Sequence, residues 1–242
     1  MIGFSESPKT FTWLGIPFAK PPLGPLRWRP PQPPEPWTGV RDALALGSAC
    51  PQMANPLGDQ PNAKKGTVIG REDCLYLNVY APRSSADEAA NRRLPVMLWI
   101  HGGGNSIGHA GGYDGSSLAG TYNVVVVTAN YRLGALGFTN LADIGGEAWA
   151  SSANCGILDQ VAALSWVREN ISAFGGDRDN VTIFGESAGG CSVVTLLATP
   201  SAKGLFHKAI AQSASTGQVR TREGADERAA LLVGDLGVDA AQ

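Results

Sequence analysis

The chain has 242 residues, of which 43% are hydrophobic, 17% charged and 7% aromatic, and its formal net charge is −2 at pH 7. The charged fraction lies below the roughly 25% of an average soluble domain, which argues against a disordered chain or a charged tail. The basic residues are scattered, which excludes the concentrated positive charge of a nucleic-acid-binding protein, and no apolar run approaches the roughly 18 residues that span a membrane.

The beginning of the chain is rich in proline, with 10 of the 16 prolines among the first 36 residues. Each proline removes a backbone donor and restricts the residue before it, which excludes a helix or a central strand over residues 17–36. Trp13, Phe18, Trp28 and Trp37 are interleaved with these prolines. Aromatic residues at this density favour an extended segment packed against a folded body, so no domain boundary is expected here.

Beyond residue 75, short β-rich runs alternate with helices. Strands are predicted at residues 75–80, 95–100, 124–127, 181–184 and 208–212. The first alternates apolar and polar residues, the second is almost wholly apolar, and the third is a β-branched run typical of strands covered on both faces. All three are interpreted as central parallel strands. Apolar residues spaced by three and four predict a helix over 157–174 that ends at Gly175, and a second helix is predicted over 188–198. The alternation indicates an α/β fold with a mostly parallel sheet flanked by helices.

The run Gly185-Glu186-Ser187-Ala188-Gly189 fits the G-x-S-x-G pattern, in which a nucleophilic serine sits on a sharp turn between a strand and a helix. The serine backbone is strained there, and side chains two positions away would clash with the adjoining strand and helix. The structural alternative is a glycine-rich turn with an incidental serine. The predicted strand before the run and the predicted helix after it favour the nucleophile.

A second glycine-rich run, His101-Gly102-Gly103-Gly104, follows an apolar strand and resembles the HGGG oxyanion loop of esterases and lipases. Backbone N–H groups stabilise the negative charge of a tetrahedral intermediate only where side chains do not block their approach. We expect Gly103 and Gly104 to be the donors, joined by the N–H of Ala188. His101 is expected to orient the loop rather than to act as an acid or a base. Phosphate binding is excluded, because neither G-x-x-x-x-G-K-[ST] nor G-x-G-x-x-G is present.

With these motifs the chain resembles the type-B carboxylesterases, the carboxylesterase and cholinesterase branch of the α/β-hydrolases. The matching stretches are residues 13–17, 72–79, 130–134, 158–160, 174–177, 185–190 and 205–210. The resemblance implies an α/β-hydrolase fold and hydrolysis of a small-molecule carboxylic ester through an acyl-enzyme on Ser187. Asn105 departs from the family pattern, in which an aromatic or small apolar residue usually follows the third glycine.

The resemblance also implies roles for five charged residues. Glu186 is expected to be a buried support for the active-site network. Arg27 with Glu72, and Arg132 with Asp159, are expected to form structural ion pairs.

Cys50 and Cys74 correspond by the same resemblance to a family disulfide. The bond would close a loop of about 25 residues and stabilise the fold by roughly 3 kcal/mol in an oxidising compartment, which would favour a secreted or periplasmic protein. Two free thiols are the alternative. Cys155 and Cys191 lie in apolar stretches and are expected to be inert packing residues. No C-x-x-C or H-E-x-x-H spacing occurs, so neither a metal nor a cofactor is expected.

The catalytic triad of an α/β-hydrolase runs along the chain in the order serine, acid, histidine. After Ser187 the only histidine is His207, and no Asp or Glu lies between them. His207 matches a family position without a catalytic role and is expected to be an exposed connector. We therefore expect residues 1–242 to be a single partial domain, about half of an α/β-hydrolase domain that continues beyond Gln242.

Two other hypotheses remain for the function. One is a non-catalytic binding or adhesion relative on the same fold, and the other is an inactive truncated product. Ser187 and the three glycines argue against the binding relative, because such a module needs no oxyanion hole. An incomplete sheet would also leave an apolar edge at the strand predicted over 208–212.

Overall fold

The computed structural model describes residues 1–4, 8–54, 64, 66–215, 217 and 219–237. In these ranges the strands are β1 (Thr10–Pro17), β2 (Gln52–Met53), β3 (Val68–Ile69), β4 (Tyr76–Pro82), β5 (Leu94–Ile100), β6 (Val125–Ala129), β7 (Gly176–Glu186) and β8 (Lys208–Gln212). The α-helices are α1 (Ala86–Asn91), α2 (Ser116–Tyr122), α3 (Gly134–Phe138), α4 (Ala142–Gly145), α5 (Cys155–Asn170), α6 (Ala188–Leu197) and α7 (Arg222–Asp235). Among the described residues, none of these helices is long and apolar enough to cross a membrane.

Six strands form one sheet in the order β1-β4-β6-β5-β7-β8, and β2 pairs with β3 separately. The four neighbouring strands β6, β5, β7 and β8 run parallel to one another, which confirms the predicted mostly parallel sheet. The prediction that residues 75–80 form a parallel strand is wrong, because β4 is antiparallel to both β1 and β6. The alternation of apolar and polar residues marks a strand but not its direction, and the burial of β4 is equally compatible with an antiparallel strand.

Both faces of the sheet are covered, as the run of valines at 124–127 predicted. Val125 and Val127 have no exposed surface and belong to the main core, in which α5 and α6 pack against β7. Val126 points the other way and packs with Tyr80 and with Ala119 of α2. The alternation of side chains along a strand therefore divides the valines between two helical layers.

The predicted helix over 157–174 is present as α5, followed by a 3-10 turn at Ile171–Phe174. Gly175 follows this turn with a φ of 80°, a left-handed conformation that glycine adopts without the penalty of a side chain. The glycine stop predicted from the sequence is confirmed, and it sends the chain directly into β7.

The proline-rich beginning of the chain packs against the folded body, as its aromatic residues predicted. The ring of Trp13 meets that of Phe174 edge-on, with centroids 4.9 Å apart. The indole N–H of Trp28 donates to the carbonyl of Ala135 at 2.9 Å. β1, which ends at Pro17 and pairs with β4, was not predicted from the sequence. Neither were the short strands β2 and β3 or the helices α1, α2, α3, α4 and α7.

Two bidentate ion pairs occur where the resemblance placed them. Arg27 donates two hydrogen bonds to Glu72, at 2.7 and 2.6 Å, in a partly exposed setting. Arg132 donates two to Asp159, at 2.8 and 2.7 Å, and both of these side chains are buried. Arg132 also donates to the carbonyl of Arg29 at 2.8 Å, so this buried pair holds the proline-rich segment in place.

Cys50 and Cys74 are joined by a disulfide, and the two residues are 1% and 0% exposed. Cys155 and Cys191 are free and buried, as expected of packing residues. Burial raises the pKa of the Cys155 thiol to about 11, so this thiol stays protonated and unreactive near neutral pH.

The last strand of the described sheet, β8, is exposed at every residue from Lys208 to Gln212. Ile210 in its middle keeps 45% of its surface exposed. The exposed edge predicted from the sequence is therefore present, and β7 is its one neighbour in the described part of the sheet.

Candidate active site

Ser187 occupies the turn between β7 and α6, directly before the first helical residue, Ala188. Its φ of 55° and ψ of −122° are strained for a residue with a side chain. Its N–H donates to the carbonyl of Gln212 at 3.0 Å, and its carbonyl accepts from the N–H of Cys191 at 2.9 Å. The strand, sharp turn and helix that G-x-S-x-G predicted are all present.

The glycines on either side of Ser187 lie in crowded positions. A side chain at Gly189 would overlap the carbonyl oxygen of Ile100, and one at Gly185 would come within 2.7 Å of that same oxygen. These overlaps confirm the steric reason given for both glycines. Gly190, one residue further on, allows the carbonyl of Gln212 to approach α6 closely.

The glycine loop after β5 lies against the serine. The Cβ position of Gly102 would be 3.2 Å from the Cβ of Ser187. Gly103 has a φ of 104°, and a side chain there would overlap the carbonyl of Ile107. Gly104 has a φ of 62° and no neighbour within 4 Å of its Cβ position, so open space adjoins it. The fold therefore brings the sequence-predicted serine and glycines together at the carboxyl ends of β5 and β7.

Asn105, which departs from the family pattern, continues this loop with a φ of 57°. Asparagine tolerates the left-handed region better than most side chains. Its carbonyl accepts from the N–H of Gly134 at 2.6 Å, and its side-chain oxygen lies 3.5 Å from the hydroxyl of Tyr131. Asn105 thus ties the loop to the segment that follows β6.

His101 is buried beneath the loop, with 1% of its surface exposed. Its Nδ1 lies 2.8 Å from the carbonyl oxygen of Gly102, so this nitrogen carries the hydrogen. The ring stacks on Tyr131 with centroids 4.4 Å apart, and the Tyr131 hydroxyl donates to the His101 carbonyl at 2.8 Å. Burial lowers the pKa of His101 to about 4, so the ring is neutral at neutral pH. These contacts fit a residue that orients the loop.

The structure corrects one expectation about the charged residues. Glu186 was expected to be buried, but its side chain is exposed in the described structure. It is the last residue of β7, beside the exposed edge strand β8, and nothing described covers that end. Its carboxylate comes within 3.3 Å of the Cβ position of Gly102 and so faces the glycine loop.

Two amide side chains that were not predicted from the sequence hold the far end of the loop, which runs from His101 to Ala110. Gln52 exchanges two hydrogen bonds with the backbone of Gly108, at 2.8 and 2.9 Å. The side-chain oxygen of Asn130 accepts from the N–H of Ala110 at 2.7 Å. Asn130 lies in a stretch that resembles the family and Gln52 follows the bonded Cys50 by two residues, but no local pattern shows that an amide contacts a loop far away in the sequence.

His207 lies far from the serine. It is exposed, and its backbone N–H and Nδ1 pair with the carbonyl and N–H of Val181 at 2.8 and 3.1 Å. Ser187 comes six positions after Val181 along an extended strand, a distance of about 20 Å. The expectation that His207 is an exposed connector is confirmed. Within the described residues, no group of three or more His, Cys, Asp or Glu side chains could hold a metal ion.

Comparisons with known proteins agree with this geometry. The model of the carboxylesterase family matches residues 3–242. A para-nitrobenzyl esterase of Bacillus subtilis (strain 168) is 52% identical over 235 residues, which are 95% of this chain and 45% of that protein. A cocaine esterase of Homo sapiens is 52% identical over 206 residues, which are 84% of this chain and 35% of that protein.

Solved structures show the same backbone. A thermophilic PNB esterase superposes with a TM-score of 0.89 at 48% identity, over 99% of this chain and 47% of that one. The carboxylesterase EST55 of Geobacillus stearothermophilus superposes with a TM-score of 0.84 at 42% identity, over 98% of this chain and 47% of that one. The chain therefore spans about half the length of the relatives that it matches. A family match over nearly the whole sequence and a shared backbone at this identity establish that the chain belongs to the carboxylesterase family and has the α/β-hydrolase fold.

Proposed function

We propose that the full-length protein hydrolyses small-molecule carboxylic esters through an acyl-enzyme on Ser187. The observation that carries this proposal is the placement of a strained serine against an open glycine loop. A strained serine turn keeps its hydroxyl accessible above the sheet, and such strain persists only where the surrounding structure holds it. The names of two relatives, a para-nitrobenzyl esterase and a cocaine esterase, support the same class of reaction.

In this reaction the hydroxyl of Ser187 attacks the ester carbonyl, whose oxygen becomes negatively charged. The N–H groups of Gly103, Gly104 and Ala188 stabilise that charge. Ala188 is the first residue of α6, so its N–H lies at the positive end of the helix. Each such donor typically contributes roughly 3 kcal/mol to transition-state stabilisation. Collapse of the intermediate releases the alcohol, and water then hydrolyses the acyl-enzyme.

The serine needs a base, because a protonated hydroxyl is a weak nucleophile. His101 is buried and neutral, with Nδ1 bonded to Gly102, and His207 lies at the other end of β7. We propose that the acid and the histidine lie beyond residue 242, in the rest of a domain of which residues 1–242 are one part. His101 and Glu186 support the loop and the serine turn without exchanging protons with the substrate.

Hydrolysis of p-nitrophenyl acetate by the full-length protein tests this function. We expect turnover that Ser187→Ala abolishes, and little or no turnover by residues 1–242 alone, since they lack the base. An inactive full-length protein, or a Ser187→Ala variant with unchanged turnover, would contradict the proposal.

A further inference from the structure

We propose that Gln52 is a positioning residue for ester hydrolysis, which holds the oxyanion loop in place through the backbone of Gly108. This inference rests on the proposed function and adds to it a residue distant in sequence from both motifs. It arises from one buried amide whose hydrogen-bonding atoms all bind backbone groups.

The side chain of Gln52 makes three hydrogen bonds in this position, two as a donor and one as an acceptor. Its Oε1 accepts from the N–H of Gly108 at 2.8 Å, and its Nε2 donates to the carbonyl of Gly108 at 2.9 Å. The second hydrogen of Nε2 is donated to the carbonyl of Cys50 at 3.1 Å. Gln52 is only 9% exposed, so each lost bond would leave a backbone group without a partner away from water.

Gly108 in turn lies against the beginning of the oxyanion loop. Its φ is 107°, and its Cβ position would be 2.6 Å from Nδ1 of His101 and 2.8 Å from the carbonyl oxygen of Gly102. Between these points the N–H of Ile107 donates to the carbonyl of Gly103 at 3.1 Å. The loop is thus a closed turn, and the position of Gly108 sets the position of its glycines.

A disulfide and a strand pairing tie the segment around Gln52 to the folded body. Cys50, two residues earlier, is bonded to Cys74, and Gln52 itself pairs with Ile69 between β2 and β3. Asn130 adds a second tie, because it donates to the carbonyl of Cys74 and accepts from Ala110. Gln52 therefore connects a segment fixed by a disulfide to the loop that carries the proposed donors.

The expected effect of losing this contact is on the chemical step. Oxyanion donors act on charge that develops only in the transition state, and a misplacement of about 1 Å can cost on the order of 100-fold in rate. A displaced loop should therefore lower kcat and leave the substrate KM nearly unchanged. A general loss of stability would also lower the apparent activity. It would accelerate hydrogen exchange throughout the protein, and not in this loop alone.

The test uses the full-length protein with Gln52→Met, which keeps the length of the side chain and removes its three hydrogen bonds. The matched control is Asn78→Leu, since Asn78 is a buried amide in β4 that bonds Gly15 and Thr128, away from the loop. Three quantities are measured: kcat and KM for p-nitrophenyl acetate, amide hydrogen exchange over residues 101–110, and the melting temperature.

For Gln52→Met we expect kcat to fall by roughly 10- to 100-fold, KM to change less than about threefold, and exchange to accelerate over residues 101–110. Asn78→Leu should lose at least as much thermal stability while keeping kcat and the protection of the loop. If Gln52→Met does not fold, Gln52→Glu replaces it, because the carboxylate keeps the size of the side chain and removes both donated bonds. The same fall in kcat and the same faster exchange are expected of it.

Unchanged exchange over residues 101–110 would overturn the inference whether or not the wild type hydrolyses an ester. An active wild type with unchanged kcat in the Gln52 variant would overturn it and leave the proposed function standing. An equal fall in kcat in Asn78→Leu would also overturn it, since the effect would then follow stability alone. An inactive wild type whose loop exchanges faster in the Gln52 variant would refute the proposed function but not the positioning of the loop.

Discussion

The backbone N–H of Ser187 donates to the carbonyl of Gln212 at 3.0 Å. Gln212 is the last residue of β8, a strand exposed at all of its positions. The strained turn that carries the proposed nucleophile is thus fixed from one side by the end of β8. Because strain of this kind persists only where the surroundings hold it, the end of β8 belongs to the support of the site.

Gly190→Ala tests this support. The new methyl group would overlap the carbonyl oxygen of Gln212, so the end of β8 must move away from α6. We expect the full-length variant to lose about 1–3 kcal/mol of stability, as is typical of overpacking, and at least about tenfold in kcat for p-nitrophenyl acetate.

Gly234→Ala is the control for that substitution. Gly234 lies in α7 with no neighbour within 4 Å of its Cβ position, so alanine should stabilise the helix by about 0.5–1 kcal/mol. An activity that is as high in Gly190→Ala as in Gly234→Ala would show that β8 does not hold the serine turn.

The buried pair of Arg132 and Asp159 should be far more sensitive than the partly exposed pair of Arg27 and Glu72. The Asp159 side chain is 0% exposed, and Asp159→Asn leaves a buried guanidinium without its counter-charge, at a cost of about 3–5 kcal/mol. Glu72→Gln should cost at most about 1 kcal/mol, because solvent screens an exposed pair. Urea unfolding of both variants measures the two costs, and equal losses would contradict the assigned difference.

His101 should make stability depend on pH. Burial lowers the pKa of His101 to about 4, whereas a histidine in an unfolded chain titrates near 6.5. Between these values the unfolded chain binds a proton that the folded chain does not. The contribution of the neutral His101 ring to the free energy of unfolding is therefore fully present above pH 6.5. It is lost as the pH falls towards 4, and about 2 kcal/mol of it is gone at pH 5.

His101→Gln removes this titration and retains an amide that can donate to Gly102. The free energy of unfolding in urea should fall less between pH 7 and pH 5 in the variant than in the wild type. The same fall in both proteins would mean that folding does not lower the pKa of His101.

The disulfide gives a thiol count that can be checked. The sequence has four cysteines, and Cys50 and Cys74 are bonded. Within residues 1–242, alkylation of the unfolded chain should therefore label Cys155 and Cys191 without a reductant and all four cysteines after reduction. Replacing both bonded cysteines by alanine should lower stability by about 3 kcal/mol. Labelling of Cys50 or Cys74 without a reductant would contradict the bond.

Local patterns predicted much of the fold. The helix that ends at Gly175 and the valine run of β6 were recognised because both signals lie within one element. β1 was missed, since Thr10 and Thr12 are 0% and 1% exposed, and polar side chains on a buried face hide the alternation. The direction of β4 was wrong, because burial carries no information on strand direction.

The site was predictable to the extent that its residues are contiguous. Ser187 and the glycine loop each belong to one short motif. Gln52 and Gly108 are 56 residues apart, and only the folded backbone brings them together. The exposure of Glu186 likewise depends on which strand lies beside β7 and on what covers that end, and neither can be read from the motif itself.

Trapping of the acyl-enzyme identifies the residue that attacks the ester. The full-length protein is mixed with p-nitrophenyl acetate and quenched in acid, and its peptides are weighed by mass spectrometry. One acetyl group is expected on the peptide that contains Ser187, and both this adduct and turnover should be lost in Ser187→Ala. Turnover that persists in Ser187→Ala, or an acetyl group on a different residue, would contradict nucleophilic attack by Ser187.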